Sequence, residues 1–156
     1  MVTKSSEFAK KDIGMVKTYQ SGVAQAAAHR LINRVVTNYL LIYKLSPMQW
    51  FAVGYIYDAG ESGIRMGDLA KELGTTLPYI TNKVALLESK GMVEKLSYEG
   101  DSRIKILKVT DEFSPIIEEI ENGLRIRMRK ELYHEDNITR EELNNYVHVL
   151  YKIIGN

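Results

Sequence analysis

LAKELGTTLPYITNKVALLESKGMVEKLSYEGDSRIKILKVT, residues 69–110, passes through two helical patterns and then a strand pattern. A short helical run from Gly67 to Leu73 stops at Gly74. A second run opens just after it, with Thr75-Thr76 available as a cap and Pro78 in the first turn, where a missing N–H is tolerated. Two helices joined by a few residues around a glycine predict a helix-turn-helix. Gly91 is a helix-ending signal, and beyond it Met92 to Ser97 and Ile104 to Val109 are rich in Val, Ile and Leu, with a Tyr98 to Ser102 turn cluster between them. A hairpin beside a helix pair predicts a winged helix.

The second helix has two unlike faces. Ile80, Val84 and Leu87 recur at helical spacing and read as the buried side. Pro78, Thr81, Asn82 and Ala85 fall on the other side and carry no charge. Small polar groups without long charged stems can enter a major groove closely. There an Asn matches the N6/N7 edge of adenine, and a Thr offers a hydroxyl to a base or a methyl to thymine. Attraction must then come from phosphate contacts, for which Lys71, Lys83, Lys90, Lys95, Arg103 and Lys105 flank the helix and hairpin. At the hairpin tip Asp101 stands two residues from Arg103, near enough to orient its guanidinium for a narrow minor groove. The candidate DNA-binding residues are Thr76, Pro78, Tyr79, Thr81, Asn82, Lys83, Lys95, Asp101, Arg103 and Lys105. The plainer alternatives are a solvated helix face and an ordinary surface ion pair.

On the N-terminal side, residues 1 to about 11 are polar. From Asp12 onward Ile13, Val16, Val23, Ala27, Leu31, Val35, Tyr39 and Ile42 describe one long amphipathic helix. A helix of that length in a small domain calls for a partner along it, and a second copy of the chain is the expected one. Ser46 then reads as an N-cap and Pro47 as the first helical residue of a helix through Met48, Phe51, Ala52, Tyr55 and Ile56 to a turn at Asp58 to Gly63. On the C-terminal side Thr110 is expected to cap a helix running to about Leu132, with Pro115 in its first turns. Thr139-Arg140-Glu141-Glu142 is a capping box for a last helix expected to bury Leu143, Tyr146, Val147, Leu150, Ile153 and Ile154. The fold class is mainly α with a small β-hairpin wing.

Composition narrows the function. A hydrophobic share of 45% and a charged share of 26% are those of a globular protein, and a net charge of +1 leaves no global basic field, so any nucleic-acid surface has to be local. The absence of cysteine excludes disulfides, thiolate catalysis and Cys-ligated zinc. His29, His134 and His148 form no spaced pair on one helix face, so no metal and no cofactor are expected. Neither a His-Glu-x-x-His, a phosphate-binding Gly loop nor a Gly-x-Ser-x-Gly is present, and the chain does not read as an enzyme. With no signal-peptide core and no apolar stretch of spanning length, a cytoplasmic protein without membrane contact is expected.

Residues 69–110 closely resemble the winged-helix segment of the multiple-antibiotic-resistance regulator (MarR) family. The matching elements are Leu69-Ala70, Leu73-Gly74, the Leu87-Glu88-x-x-Gly91-Met92-Val93 helix exit, Asp101-x-Arg103, and Thr110 closing the second strand. The long first helix, the Leu45-Ser46-Pro47 restart and the two terminal helices extend the resemblance over nearly all the chain after residue 11. It implies a homodimeric transcriptional regulator, expected to repress, that binds a pseudo-palindromic operator in double-stranded DNA. Residues 12–44 would form an N-terminal dimerisation helix, 46–110 the winged helix-turn-helix DNA-binding domain and 111–156 the C-terminal dimerisation helices. Arg103 would be the minor-groove probe and Asp101 its orienting partner. Small phenolic or aromatic effectors are implied between the dimer and DNA-binding regions, where Tyr19, Tyr39, Tyr43 and Tyr55 are the candidate ligand-binding residues. The tyrosines serve equally as core with bonded hydroxyls. Two departures stand out: Asn82 where many members carry Arg, and Leu77 where a polar or basic residue is common. With the near-neutral charge, they keep open a winged helix used as a protein-interaction scaffold without DNA binding.

Overall fold

The computed structural model describes residues 16–155. The chain divides into two units, Met1–Arg34 and Val35–Asn156. Among the described residues there are six α-helices and one three-stranded sheet.

In the first unit, helix α1 (Thr18–Leu40) begins later than its apolar pattern suggested. The Gln20 side chain accepts the Lys17 amide N–H at 3.0 Å and so satisfies an orphan donor at the helix start, leaving Val16 and Lys17 outside it. The expected opening at Asp12 and Ile13 lies outside the described residues. Val23 and Leu31, read as part of the apolar face, are exposed.

In the second unit, the end of α1 buries Val35, Val36 and Leu40. A 3-10 turn, Leu41–Tyr43, follows and is closed by Lys44 in the left-handed region. Helix α2 (Pro47–Asp58) starts in a full capping box: Gln49 donates its amide N–H to Ser46 Oγ at 3.2 Å, and Ser46 N–H returns to Gln49 Oε1 at 2.9 Å. After the turn Gly60–Ser62 comes a strand the sequence did not announce, β1 (Ile64–Arg65), since two residues are too few to show alternation. Gly63 makes it possible. Its φ is +66°, and a Cβ there would strike the Ile106 side chain and the Leu107 carbonyl. Helices α3 (Met66–Glu72) and α4 (Leu77–Ser89) form the helix-turn-helix, and β2 (Val93–Tyr98) with β3 (Asp101–Val109) the wing. The sheet is antiparallel in the order β1-β3-β2, with Ile64 opposite Leu107 and Val93 opposite Val109.

Helix α4 packs on α2, α3 and β2. Ile80, Val84 and Leu87, the expected inward face, are fully buried, as are Val53 and Ile56 of α2, Leu69 of α3 and Leu107 of β3. Burying each such side chain contributes about 1.5 to 3 kcal/mol, so this small core fixes the pose of α4.

Two expectations are corrected. Thr110 does not cap the next helix. Its hydroxyl donates to the Gly91 carbonyl at 2.7 Å, tying the end of β3 to the exit of α4, and α5 (Ser114–Glu131) begins one turn later with Pro115 in its first turn. The last helix, α6 (Arg140–Ile154), opens in the expected Thr139–Glu142 capping box but buries no residue. Tyr146, Val147, Leu150, Ile153 and Ile154 are all exposed in the single chain, Ile154 at 76%. Periodicity identifies the apolar stripe of a helix, but not which molecule covers it.

Candidate nucleic-acid interface

The outer face of α4 is built by its packed one. With Ile80, Val84 and Leu87 inward, Leu77, Pro78, Tyr79, Thr81, Asn82 and Ala85 are exposed. Thr76 occupies the N-cap position in extended geometry, yet its side chain makes no capping bond. The Thr81 hydroxyl donates to the Leu77 carbonyl at 2.7 Å, one turn back, so its proton is engaged within the helix. Lys83 Nζ lies 5.3 Å from the centroid of the Tyr79 ring, a cation–π distance.

The wing is sharper than its turn cluster suggested. Its loop is the two residues Glu99-Gly100, with Gly100 at φ +99°. The pairing then jumps from Tyr98 opposite Asp101 to Ser97 opposite Lys105, which leaves Ser102 to Ile104 as a bulge on β3. Bulges re-aim side chains, and Arg103 sits at the centre of this one. Its Nε and Nη2 donate to the two Asp101 carboxylate oxygens at 3.0 and 3.1 Å, while its backbone N–H donates to Oδ1 at 3.0 Å. The Arg103 side chain is 88% exposed, so the fork is oriented without being buried. The guanidinium bonds, then the backbone bond, hold the Asp101 carboxyl below the usual carboxylate range, and the same pairing raises the Arg103 pKa.

The surrounding cations differ in their freedom. Lys105 Nζ donates to Ser97 Oγ at 2.9 Å across the wing, and Lys95 is exposed on β2. Lys90 is turned to the Lys44 carbonyl. Arg65, absent from the sequence reading, lies with its guanidinium carbon 5.7 Å from the Tyr98 ring centroid and adds a cation beside the wing. Its only signal would have been β1.

Tyr39 and Tyr43 pair with ring centroids 5.9 Å apart. The Tyr43 hydroxyl donates to Glu119 Oε1 at 2.7 Å, and that bond, followed by burial, pushes its pKa well above the ordinary phenol value. Tyr55 has its pKa raised chiefly by burial and next by Tyr151. Tyr19 belongs to the first unit and is exposed. Between α2 and α5 there is instead a cleft of about 510 Å³, bounded by Trp50, Tyr57, Asp58, Ile117, Glu118 and Arg125 among others. Tyr57 donates to Glu118 Oε1 there at 2.6 Å. The lining of this cleft comes from two helices far apart in sequence, so no spacing within either one signals it. No helix of the described residues is long and apolar enough to cross a membrane.

Residues 43–104, spanning α2 to the wing, match the family model described as the MarR family. Among solved structures the chain is similar to S. aureus MepR in a DNA complex, at TM-score 0.72 and 21% identity over 90% of this chain and 98% of that one. It is similar to a mutant MarR from E. coli complexed with operator DNA, at TM-score 0.68 and 22% identity over 88% and 99%. It is also similar to CouR from Rhodococcus jostii RHA1 bound to p-coumaroyl-CoA, at TM-score 0.72 and 17% identity over 85% and 90%. The family match thus covers the helix-turn-helix and part of the wing, within a winged-helix fold that is shared with these solved structures along most of the chain.

Proposed function

We propose that the chain is a homodimeric, sequence-specific DNA-binding transcriptional regulator, a repressor that binds a pseudo-palindromic operator and is released by a small-molecule effector. The observation that carries this reading is the wing arginine: Arg103 stands on a bulge, held in a fork by Asp101 and open to solvent, beside a helix with no acidic side chain in its first turn. Exposed Arg at the end of a thin hairpin suits a minor groove, and an exposed uncharged helix face suits a major groove. The similar MepR and MarR chains are DNA complexes, which supports the same partner here.

The second copy is argued from α6. A contiguous stripe of Tyr146, Val147, Leu150, Ile153 and Ile154 exposed on one chain is what a dimerisation helix presents before assembly. In this reading residues 12–44 and 111–156 hold the dimer, and 46–110 read the DNA. Thr76, Pro78, Tyr79, Thr81 and Asn82 enter the major groove, Asp101 and Arg103 address the minor groove, and Lys83, Lys95 and Lys105 grip phosphates. The effector role of Tyr39, Tyr43 and Tyr55, with Tyr19, draws support from the similar CouR chain, bound to an aromatic thioester. Such a ligand acts only by binding one spacing of the two reading helices more tightly than another.

Selection of duplex sites from a random pool with the purified chain tests the reading. An inverted repeat with half-sites about 34 to 36 Å apart is expected. A selection that enriches nothing, with no salt-dependent duplex binding, favours the protein-interaction scaffold and overturns the proposal.

A further inference from the structure

The groups that α4 offers outward are unequal in what they can read. Guanine presents two acceptors, O6 and N7, and is matched by the paired donors of Arg or by Lys. Helix α4 contains no arginine, and its one lysine, Lys83, lies over the Tyr79 ring. Thr81 has already given its proton to the Leu77 carbonyl, so it retains a γ-methyl and an acceptor lone pair for a partner. Leu77 is 50% exposed, an apolar side chain in the first turn of the helix. Asn82 is exposed beside Thr81 with an amide matched to the N6/N7 edge of adenine.

Exposed methyls and one amide on a reading face have a complement among the base pairs. The thymine C5-methyl is the apolar group of the major groove, and adenine supplies the donor and acceptor that an Asn satisfies. The wing agrees independently, since an exposed arginine favours the narrow minor groove of A-tracts. Resting on the DNA-reading function above, the geometry points to a half-site of A·T pairs: thymine methyls lie against Leu77 and the Thr81 γ-methyl, adenine lies on Asn82, and guanine goes unread by α4. The specificity of this chain is thus carried by hydrocarbon contact more than by charged donors, and Leu77 and Thr81 are specificity-determining residues.

Replacing thymine by deoxyuridine removes the methyl and leaves base pairing intact, which makes the inference directly measurable. The full chain is first used to select duplexes from a random pool, and each half-site thymine of the winner is then changed in turn. A·T half-sites are expected, with one or two positions at which deoxyuridine weakens binding about fourfold, the value of one buried methyl. Thr81→Ser keeps the hydroxyl and removes only the γ-methyl, and Leu77→Ala trims an exposed side chain, so both variants keep the fold. In each, deoxyuridine at the partnered position is expected to cost nothing further. Enrichment of G·C half-sites, or deoxyuridine neutral at every position while duplex binding persists, overturns this inference and leaves the regulator reading intact. A pool in which no duplex is enriched takes away the regulator reading and the inference with it.

Discussion

The Tyr39 hydroxyl occupies the place where the first side-chain carbon of residue 123 would sit, so α5 carries Gly123 at the point where the tyrosine crosses it. A glycine inside a helix normally costs about 1 kcal/mol against alanine, and here the cost is offset by a close approach that no other residue allows. Tyr39 stands within a pair with Tyr43, whose hydroxyl is bonded to Glu119 one turn earlier on the same helix. The aromatic pair and α5 are therefore registered by contact at two successive turns.

Gly123→Ala is accordingly expected to destabilise the protein by about 1 to 2 kcal/mol, because the overpacking penalty of about 1 to 3 kcal/mol exceeds the gain in helix propensity. Adding Tyr39→Phe removes the oxygen that clashes and restores part of the loss. Urea unfolding of the single and double variants measures both. A Gly123→Ala protein more stable than the wild type would show that the tyrosine yields freely.

The wing pair carries a pH prediction whose sign follows from the depressed Asp101 pKa. A carboxyl with its folded pKa below the unfolded one favours the ordered form at neutral pH, and that contribution disappears only as pH falls through the depressed value. DNA affinity should therefore show no step from this pair between neutrality and the ordinary carboxylate range. Carbon-13 NMR of the Asp101 carboxyl is expected to titrate below a normal aspartate in the wild type and to move upward in Arg103→Ala. A normal titration in both proteins would dissolve the claim that Asp101 holds Arg103.

Salt dependence separates the roles assigned to the helix and the wing. Arg103→Ala and Lys105→Ala should each lower the steepness of log affinity against log salt by about 0.9, the value of one phosphate contact. Asn82→Ala should leave that slope unchanged and lose about 1 to 3 kcal/mol of discrimination at one base position. Binding isotherms over a salt series, on cognate and single-mismatch duplexes, report both quantities. A slope that changes on loss of Asn82 alone would reverse the division.

The reading unit was legible because punctuation and periodicity agree there. Pro47, Pro78 and Pro115 each fall in the first turn of a helix, and Ile80, Val84 and Leu87 face inward as their spacing required. What escaped was set by contacts between distant segments or by a single hydrogen bond. Strand β1 exists because Gly63 allows close approach to Ile106, and Thr110 bonds Gly91 across 19 residues instead of capping its neighbour. The bulge that aims Arg103 is a matter of register between two strands, invisible in either one. Likewise the back-bond from Thr81 and the placement of Lys83 over Tyr79 change what the outer face offers without changing its composition.

Assembly gives the last prediction. Helix α6 leaves Leu150 39% and Ile153 65% exposed in one chain, so a charge placed on either disturbs little of that chain's own core. Leu150→Glu and Ile153→Glu should therefore fold with the wild-type far-UV circular dichroism yet fail to associate, since a buried unpaired carboxylate in a dimer interface costs several kcal/mol. Loss of the dimer also removes the second half-site contact. Affinity for an isolated half-site should stay near wild type, while affinity for the full inverted repeat collapses toward it. Sedimentation equilibrium and half-site against full-site titrations check the two consequences together. If the charged variants remain dimeric, or the wild type is monomeric at micromolar concentration, the exposed stripe of α6 is not the surface through which two copies of this chain meet.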